Sequence, residues 1–205
     1  MTKYSSLNHP IVEQSFAIID QEIGQHSLSA LEYIIARRVI HSTADFDFIN
    51  LLKFTPDVIS MGINAIKNHT PIITDVTMVK QGIVNLVAKT FNNPVITAVE
   101  KASYPLPGKT RTETGLLTCY KQYPTAIYVI GNAPTALLAL CQQITEKKLK
   151  PSLIIGAPVG FVSVLESKQA LAEIDVPKIV VEGRKGGSPV AASIINALLV
   201  LAWEK

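Results

Sequence analysis

KIVVEGRKGGSPVAASIINALL, residues 178–199, decides the fold. Four residues rich in β-branched side chains run into a glycine-rich turn, and a long apolar segment of helix formers follows Ser188 and Pro189, so a strand passes directly to a helix. The turn carries Arg184 and Lys185 where the positive end of a helix dipole and free backbone N–H groups face outward, which is anion-binding chemistry. It lacks the G-x-x-x-x-G-K-[ST] order of a nucleotide loop, because Lys185 precedes the glycine pair, and GAPVGF (156–161) is not G-x-G-x-x-G. Glycines that only cap strands and turn corners explain the pattern equally well.

Working backwards, the same unit recurs. PIIT (71–74), PVITAV (94–99), TAIYVI (125–130) and SLIIG (152–156) are short apolar runs without the polar alternation of a half-exposed sheet, so both sheet faces are covered. Helices are expected near 79–89, 110–122, 134–147, 163–173 and 189–203, with starts marked by Thr110 with Glu113, Asn132 before Pro134, Ser163 with Glu166, and Ser188 before Pro189. Five strand–helix units predict a flavodoxin-like, doubly wound α/β sheet of five parallel strands in the order 2-1-3-4-5, with helices on both faces.

The first seventy residues read as helical. Val12, Phe16, Ile19 and Ile23 recur at helical spacing up to Gly24, Ser29 and Glu32 form a capping box, and Thr55 and Pro56 stand as cap and first residue of a helix carrying Ile59, Ile63 and Ile66. With 205 residues, 48% hydrophobic and 17% charged positions and no linker-like stretch, the chain suits one domain with a sizeable core.

A net charge of +3 with scattered lysines excludes a nucleic-acid footprint, and no apolar run spans a bilayer. The start lacks a signal core, so a soluble, cytoplasmic protein is expected. Cys119 and Cys141, far from any CxxC or histidine, read as buried thiols, and no metal-ligand cluster is present.

In a doubly wound fold ligands collect at the carboxyl ends of the strands. Residues 74–78, 99–111, 131–135, 156–161 and 182–188 therefore form one candidate site, which places Thr77, Asn132, Lys185 and Ser188 there. In RRVIHSTADFDF, His41 ends a helix, where the dipole stabilises a cation by roughly 0.3–1 kcal/mol and favours a proton held near neutral pH. A lone histidine at a helix end also serves as a simple cap. Asp45 and Asp47 read as solvated or capping carboxylates, and Arg111 alone reads as a surface arginine. A phosphoryl-receiver domain shares the expected fold, but it needs an aspartate where this chain has Gly131 and Asn132.

Six segments, SFAIIDQEI, RRVIHSTADFDF, TDVTMVKQGI, GNAPTAL, GAPVGFVSVLESK and GRKGGSPVAASIINALL, together resemble the precorrin isomerases, the precorrin-8X and cobalt-precorrin-8 methylmutases of cobalamin biosynthesis. The resemblance implies a homodimer that moves a methyl group between adjacent carbons of ring C of a tetrapyrrole by a 1,5-sigmatropic shift. It implies that His41, in the IH-[ST] motif, gives or takes a proton at a ring nitrogen, and that Ser15, Arg38 and Arg111 contact substrate. The anions at the glycine-rich loop are then acetate and propionate carboxylates. No resident cofactor or protein metal is implied, since cobalt arrives within the substrate. HSTADFDF and GRKGGS lie closer to the cobalt-containing branch, giving cobalt-precorrin-8 to cobyrinate, with metal-free precorrin-8X to hydrogenobyrinate as the alternative. A non-catalytic tetrapyrrole carrier and, without the resemblance, a flavin- or nucleotide-binding domain are the competing readings. The helix from 189, apolar all round, exceeds what one sheet face covers and points to a twofold dimer.

Overall fold

In the computed structural model, which describes residues 7 and 9–204, the chain runs α1 (Pro10–Glu22), α2 (Ala30–Thr43), α3 (Phe48–Leu51), β1 (Leu52–Phe54), α4 (Val58–Lys67), β2 (Ile72–Thr74), α5 (Thr77–Lys89) and β3 (Val95–Thr97). A 3-10 turn (Ala98–Lys101) leads to α6 (Arg111–Gln122), β4 (Ile127–Ile130), α7 (Pro134–Lys147), β5 (Leu153–Gly156), α8 (Val164–Glu173), β6 (Lys178–Val181) and α9 (Ser188–Glu204). The sheet order is β1-β6-β5-β4-β2-β3. Its five parallel members, numbered among themselves, follow the expected 2-1-3-4-5.

The sixth strand corrects the reading of the first seventy residues as wholly helical. Leu52–Phe54 pairs antiparallel with β6, Leu52 opposite Val181 and Phe54 opposite Ile179. Three residues with no alternating pattern give no periodic signal; only the partner strand makes them a strand. Thr55 is not the cap expected of it. Its backbone N–H and hydroxyl both donate to the Lys178 carbonyl at 3.2 Å, while the hydroxyl accepts from the Lys178 N–H at 3.0 Å, so it extends the ladder by one rung. Helix α4 begins later, at Val58, after Asp57 in left-handed backbone.

The parallel strands are buried on both sides. Ile72, Ile127, Val129, Ile155 and Ile179 face a core built with α1, α2, α4, α5 and α9, whereas Ile73, Tyr128, Ile130, Ile154 and Val180 face one built with α6, α7 and α8. Neighbouring strand residues point to opposite faces, so continuous apolar runs are what two covered faces require.

Helix α9 is covered within one chain. It lies on β4 and β5 and is packed from the other side by α2, α4 and α5. Val190, Ile194, Ile195, Leu198, Leu199 and Leu201 are all buried, each stabilising the fold by roughly 1.5–3 kcal/mol. The N-terminal helices supply a third layer, so of the large apolar side chains on this helix only Trp203 stays exposed, and the helix carries no argument for a dimer.

Two of the three expected Ser/Thr–Glu helix starts form capping boxes; Ser163, in left-handed backbone, makes no side-chain cap bond to α8. The Ser29 N–H donates to Glu32 at 2.8 Å and opens α2, and the Thr110 hydroxyl accepts the Glu113 N–H at 3.1 Å and opens α6. Cys119 and Cys141 are buried free thiols, and burial pushes them up to about 11 and about 12. None of the helices among the described residues is long and apolar enough to cross a membrane.

Candidate active site

Asp75, directly after β2, organises the centre of the carboxyl edge. It is fully buried, and its Oδ1 accepts the N–H groups of Val76 and Gly131 at 2.9 and 3.1 Å. Its Oδ2 accepts those of Asn132 and Ala133 at 2.6 and 2.8 Å. Burial pushes the carboxyl above its usual range, while the four N–H donors favour the charged form. This carboxylate folds the turn after β4 over the strand end and presents Asn132 to solvent. Thr77 opens α5 two residues beyond Asp75 and is also exposed. The start of α9 comes close as well, because a Cβ on Gly131 would lie 2.9 Å from Ser188 Cα and 2.8 Å from the Val79 side chain. Thr77, Asn132 and Ser188 therefore gather around Gly131, with Ser188 itself buried.

The glycine-rich loop is held from below. Its three consecutive carbonyls at 183–185 are all bonded: Lys168 Nζ donates to Gly183 and Lys185 at 2.7 and 2.8 Å, and the Gly160 N–H donates to Arg184 at 3.3 Å. The Gly187 N–H is spent on the Ala157 carbonyl at 2.8 Å, so it does not face outward as an anion donor. Gly186, at φ +153°, passes so close to Ala157 that a Cβ would strike its carbonyl. Lys168 is only 4% exposed, and burial pulls its ammonium down to about 8.

Lys185 is exposed, yet its ammonium is already engaged, 2.7 Å from Asp45 Oδ2 and 2.6 Å from Asp47 Oδ2. The two aspartates are thus not merely solvated or capping. Asp45 Oδ1 accepts the Asp47 N–H at 3.0 Å, but both side chains clasp the loop that lies 140 and 138 residues away. Arg184 stands exposed with its guanidinium 5.8 Å over the Phe161 ring.

His41 lies in the last turn of α2, just before Ala44 ends the helix in left-handed backbone. Its ring meets the buried ring of Phe16 edge-on, centroids 5.5 Å apart. Phe16 also supports two cations, with Arg37 4.4 Å and Arg38 5.7 Å over its face. Arg37 donates to Asp20 at 2.7 Å, and the Tyr33 hydroxyl donates to the other oxygen of Asp20, which pins α1 on α2. Ser15, beside Phe16, donates to the Ile11 carbonyl at 2.9 Å. Burial and then the Arg38 charge pull the His41 pKa below its ordinary value, even though the ring's outer edge is open to solvent. The expectation from the helix dipole is reversed, because a neighbouring full charge and lost hydration outweigh a partial one. Burial also lowers the proton affinity of Arg38, Glu13 and Glu204 oppose it, and Arg37 reinforces it; a guanidinium keeps its charge throughout.

Arg111 belongs to a different group. It is exposed in the first turn of α6, where the Thr110 and Thr135 hydroxyls join at 3.1 Å and hold α6 beside α7. Helices α6 and α2 pack on opposite faces of the sheet. The structure therefore brings Arg38 and His41 together against Phe16, with Ser15 the preceding residue on α1, brings Thr77, Asn132 and Ser188 together, and links Lys185 to the turn after His41. Arg111 lies over the other face of the sheet from His41, next to Thr135 and the turn that carries Asn132.

Two open hollows lie elsewhere. One of about 510 Å³ runs between α8 and the β6–β1 edge and touches Glu182 and Gly183, and one of about 830 Å³ lies outside α7 and α8 and touches Thr135; Ser15, Arg38, His41, Thr77, Arg111, Asn132, Lys185 and Ser188 line neither. The cavity touching Arg38 measures about 20 Å³, far below a ring system's needs. The loops at the carboxyl edge carry exposed Met78, Tyr104 and Phe161, apolar surface suited to a large flat ligand. Among the described residues, no three His, Cys, Asp or Glu side chains are placed to hold a metal ion.

The organising part of Asp75, within the expected stretch 74–78, and the contacts of Lys168 and of the Asp20–Arg37 pair were not read from the sequence. Asp75 carries a signal in hindsight, an aspartate ending an apolar strand beside a small-residue turn. A lysine in the middle of a helix carries none.

Residues 10–201 match the family described as precorrin-8X methylmutase. The chain is 57% identical to a cobalt-precorrin-8 methylmutase of Synechocystis, covering 97% of this chain and 98% of the relative. It is 36% identical to a precorrin-8X methylmutase of Pseudomonas aeruginosa over 97% and 98%. The solved precorrin-8X methylmutase of Thermus thermophilus superposes with a TM-score of 0.86 at 40% identity, covering 95% of this chain and 98% of that one.

Proposed function

Since the chain belongs to the precorrin-8X methylmutase family, we propose that it is an isomerase of cobalamin biosynthesis, moving a methyl group between adjacent ring C carbons of cobalt-precorrin-8 to give cobyrinate. The observation that carries this is whole-length similarity to methylmutases joined to a solvent-open His41 set among cations at the carboxyl edge. Substrate and product are isomers, so no group enters or leaves and no co-substrate is consumed. The chain holds no resident cofactor in this reading, and cobalt belongs to the substrate. The stronger identity to the cobalt-precorrin-8 relative favours the cobalt-containing substrate over the metal-free one.

His41 exchanges a proton with a ring nitrogen and draws electron density from the migrating centre. Ser15, Arg38, Thr77, Asn132, Ser188 and Arg111 hold the periphery, the arginines meeting carboxylates bidentately. Substrate first reaches a histidine of lowered proton affinity, and its carboxylates then raise that affinity on binding. Arg111 completes the site from a second subunit of a homodimer, because on its own subunit it belongs to the opposite face of the sheet from His41. Buried free thiols suit a reducing cytoplasm.

The test is turnover of cobalt-containing and metal-free substrates side by side, followed by the change in absorption spectrum as the conjugated system rearranges. Faster conversion of the cobalt substrate is expected. Binding of both without conversion would replace the isomerase by a carrier.

A further inference from the structure

We infer that Lys168 is a positioning residue for the methyl shift, acting through the glycine-rich loop and Lys185 on the turn that follows His41; the inference rests on the proposed function. The argument begins with cost. A buried ammonium loses its hydration, so a methionine-like side chain in the same place would be cheaper. Lys168 repays the cost with two bonds to carbonyls that bracket a single residue, Gly183 at 2.7 Å and Lys185 at 2.8 Å. The Gly160 N–H takes the carbonyl between them.

With three consecutive carbonyls turned inward and fixed, Arg184 and Lys185 project outward. Lys185 then reaches Asp45 and Asp47. Asp45 stands four residues after His41, beyond the left-handed Ala44 that ends α2. One continuous series of polar contacts thus leads from a side chain in α8 to the turn that follows the proposed acid. Lys168 touches neither substrate nor reacting atoms in this assignment. Its effect passes through the loop, and Lys185 serves first as a clasp and only secondarily as a carboxylate partner.

The experiment compares Lys168→Met, Lys168→Arg, Lys185→Met and the double Met variant for kcat and KM with cobalt-precorrin-8, alongside the His41 ring-proton NMR signal in the unliganded protein. Lys168→Met should lower kcat by about tenfold or more, because a misplaced acid costs rate even when substrate still binds. The double variant should fall no more than about twofold below the poorer single one, since both act along one path. Lys168→Arg should recover most of the rate, as the 510 Å³ hollow beside Lys168 accommodates a longer donor. The His41 signal should shift in Lys168→Met, which a purely local packing role would not produce. Should Lys168→Met not fold, Lys168→Gln takes its place in the same comparison. Effects that multiply, or an unmoved His41 signal, overturn the inference. Absence of turnover in wild-type protein overturns the functional reading instead, and the His41 signal still decides the coupling.

Discussion

The ring of Phe16 meets the ring of His41 at 76°, edge to face, with the centroids 5.5 Å apart. Such a pair is worth roughly 0.5–1.5 kcal/mol beyond buried area, and here it also limits the swing of a histidine whose outer side is open. Phe16→Leu keeps an apolar side chain in the core and should stay within about 1.5 kcal/mol of wild-type stability. Its kcat should nevertheless drop, because His41 loses its stop and Arg37 and Arg38 lose the ring beneath them. Phe16→Ala should cost roughly 3–5 kcal/mol in urea unfolding. Unchanged turnover in Phe16→Leu would separate the ring contact from catalysis.

His41 titrates below its ordinary value because burial and Arg38 disfavour its charged form. If the protonated form is active, kcat/KM, which reports the free enzyme, falls as pH rises through that lowered pKa. Bound carboxylates bring negative charge, so the corresponding limb of kcat should lie at higher pH. His41→Ala should abolish turnover, keep product binding and remove both limbs. Arg38→Met should move the free-enzyme limb upward, since it deletes a like charge. A limb that persists in His41→Ala would assign it to another group.

Asp75 tests which of two opposing effects prevails, burial that favours the neutral acid or four N–H donors that favour the carboxylate. If the donors win, Asp75→Asn is not conservative, because its NH2 group would face two N–H groups in place of an accepting oxygen. We expect both Asp75→Asn and Asp75→Ala to lose at least about 3 kcal/mol, each stranded buried donor costing about 1–3 kcal/mol. Wild-type denaturation midpoints for Asp75→Asn would show instead that the native group is protonated.

These sites differ in how far the sequence announces them. The alternation of strands and helices and the boxes at Ser29 and Thr110 follow from local periodicity and from side chains three residues apart, which act within one element, and the strand order follows from the connection rules of a doubly wound sheet. Thr55, β1 and the Lys185 clasp depend on partners 123 to 140 residues away, and no local pattern encodes such distances. Motif resemblance singles out His41 and Arg38 as candidates, but the sign of the His41 shift is not in the sequence, because it needs the position of a neighbouring charge. Helix α9 shows the same division: its apolar character was legible, and the layer of α2, α4 and α5 that covers it was not.

Arg38 and Arg111 are assigned to carboxylates on opposite sides of one large ligand. Replacing either by alanine should weaken product binding by roughly 1.5–3 kcal/mol, and lysine should recover little where contact is bidentate. Arg38→Ala should also disturb the free-enzyme pH profile through His41, whereas Arg111→Ala should leave it alone. Calorimetry with the product, together with the two profiles, tells these roles apart. Wild-type affinity in both variants would place the ligand elsewhere.

The placement of His41 and Arg111 leads to the last prediction. The first rides on α2, over one face of the sheet, and the second opens α6, over the other. If one tetrapyrrole reaches both, the chain can supply them most directly from two copies related by a twofold axis, each copy lending Arg111 to its partner's His41. Light scattering at micromolar concentration should then give twice the mass of the 22.2 kDa chain. Pure His41→Ala and pure Arg111→Ala proteins should each be impaired. When they are mixed and allowed to exchange subunits, a hybrid dimer pairs the wild-type His41 of one subunit with the wild-type Arg111 of the other at one of its two sites. Activity should therefore return to about a quarter of wild type, because random pairing makes about half the dimers hybrids with one intact site each. If His41 and Arg111 of the same subunit serve one site, every site in the mixture keeps a defect and activity does not return.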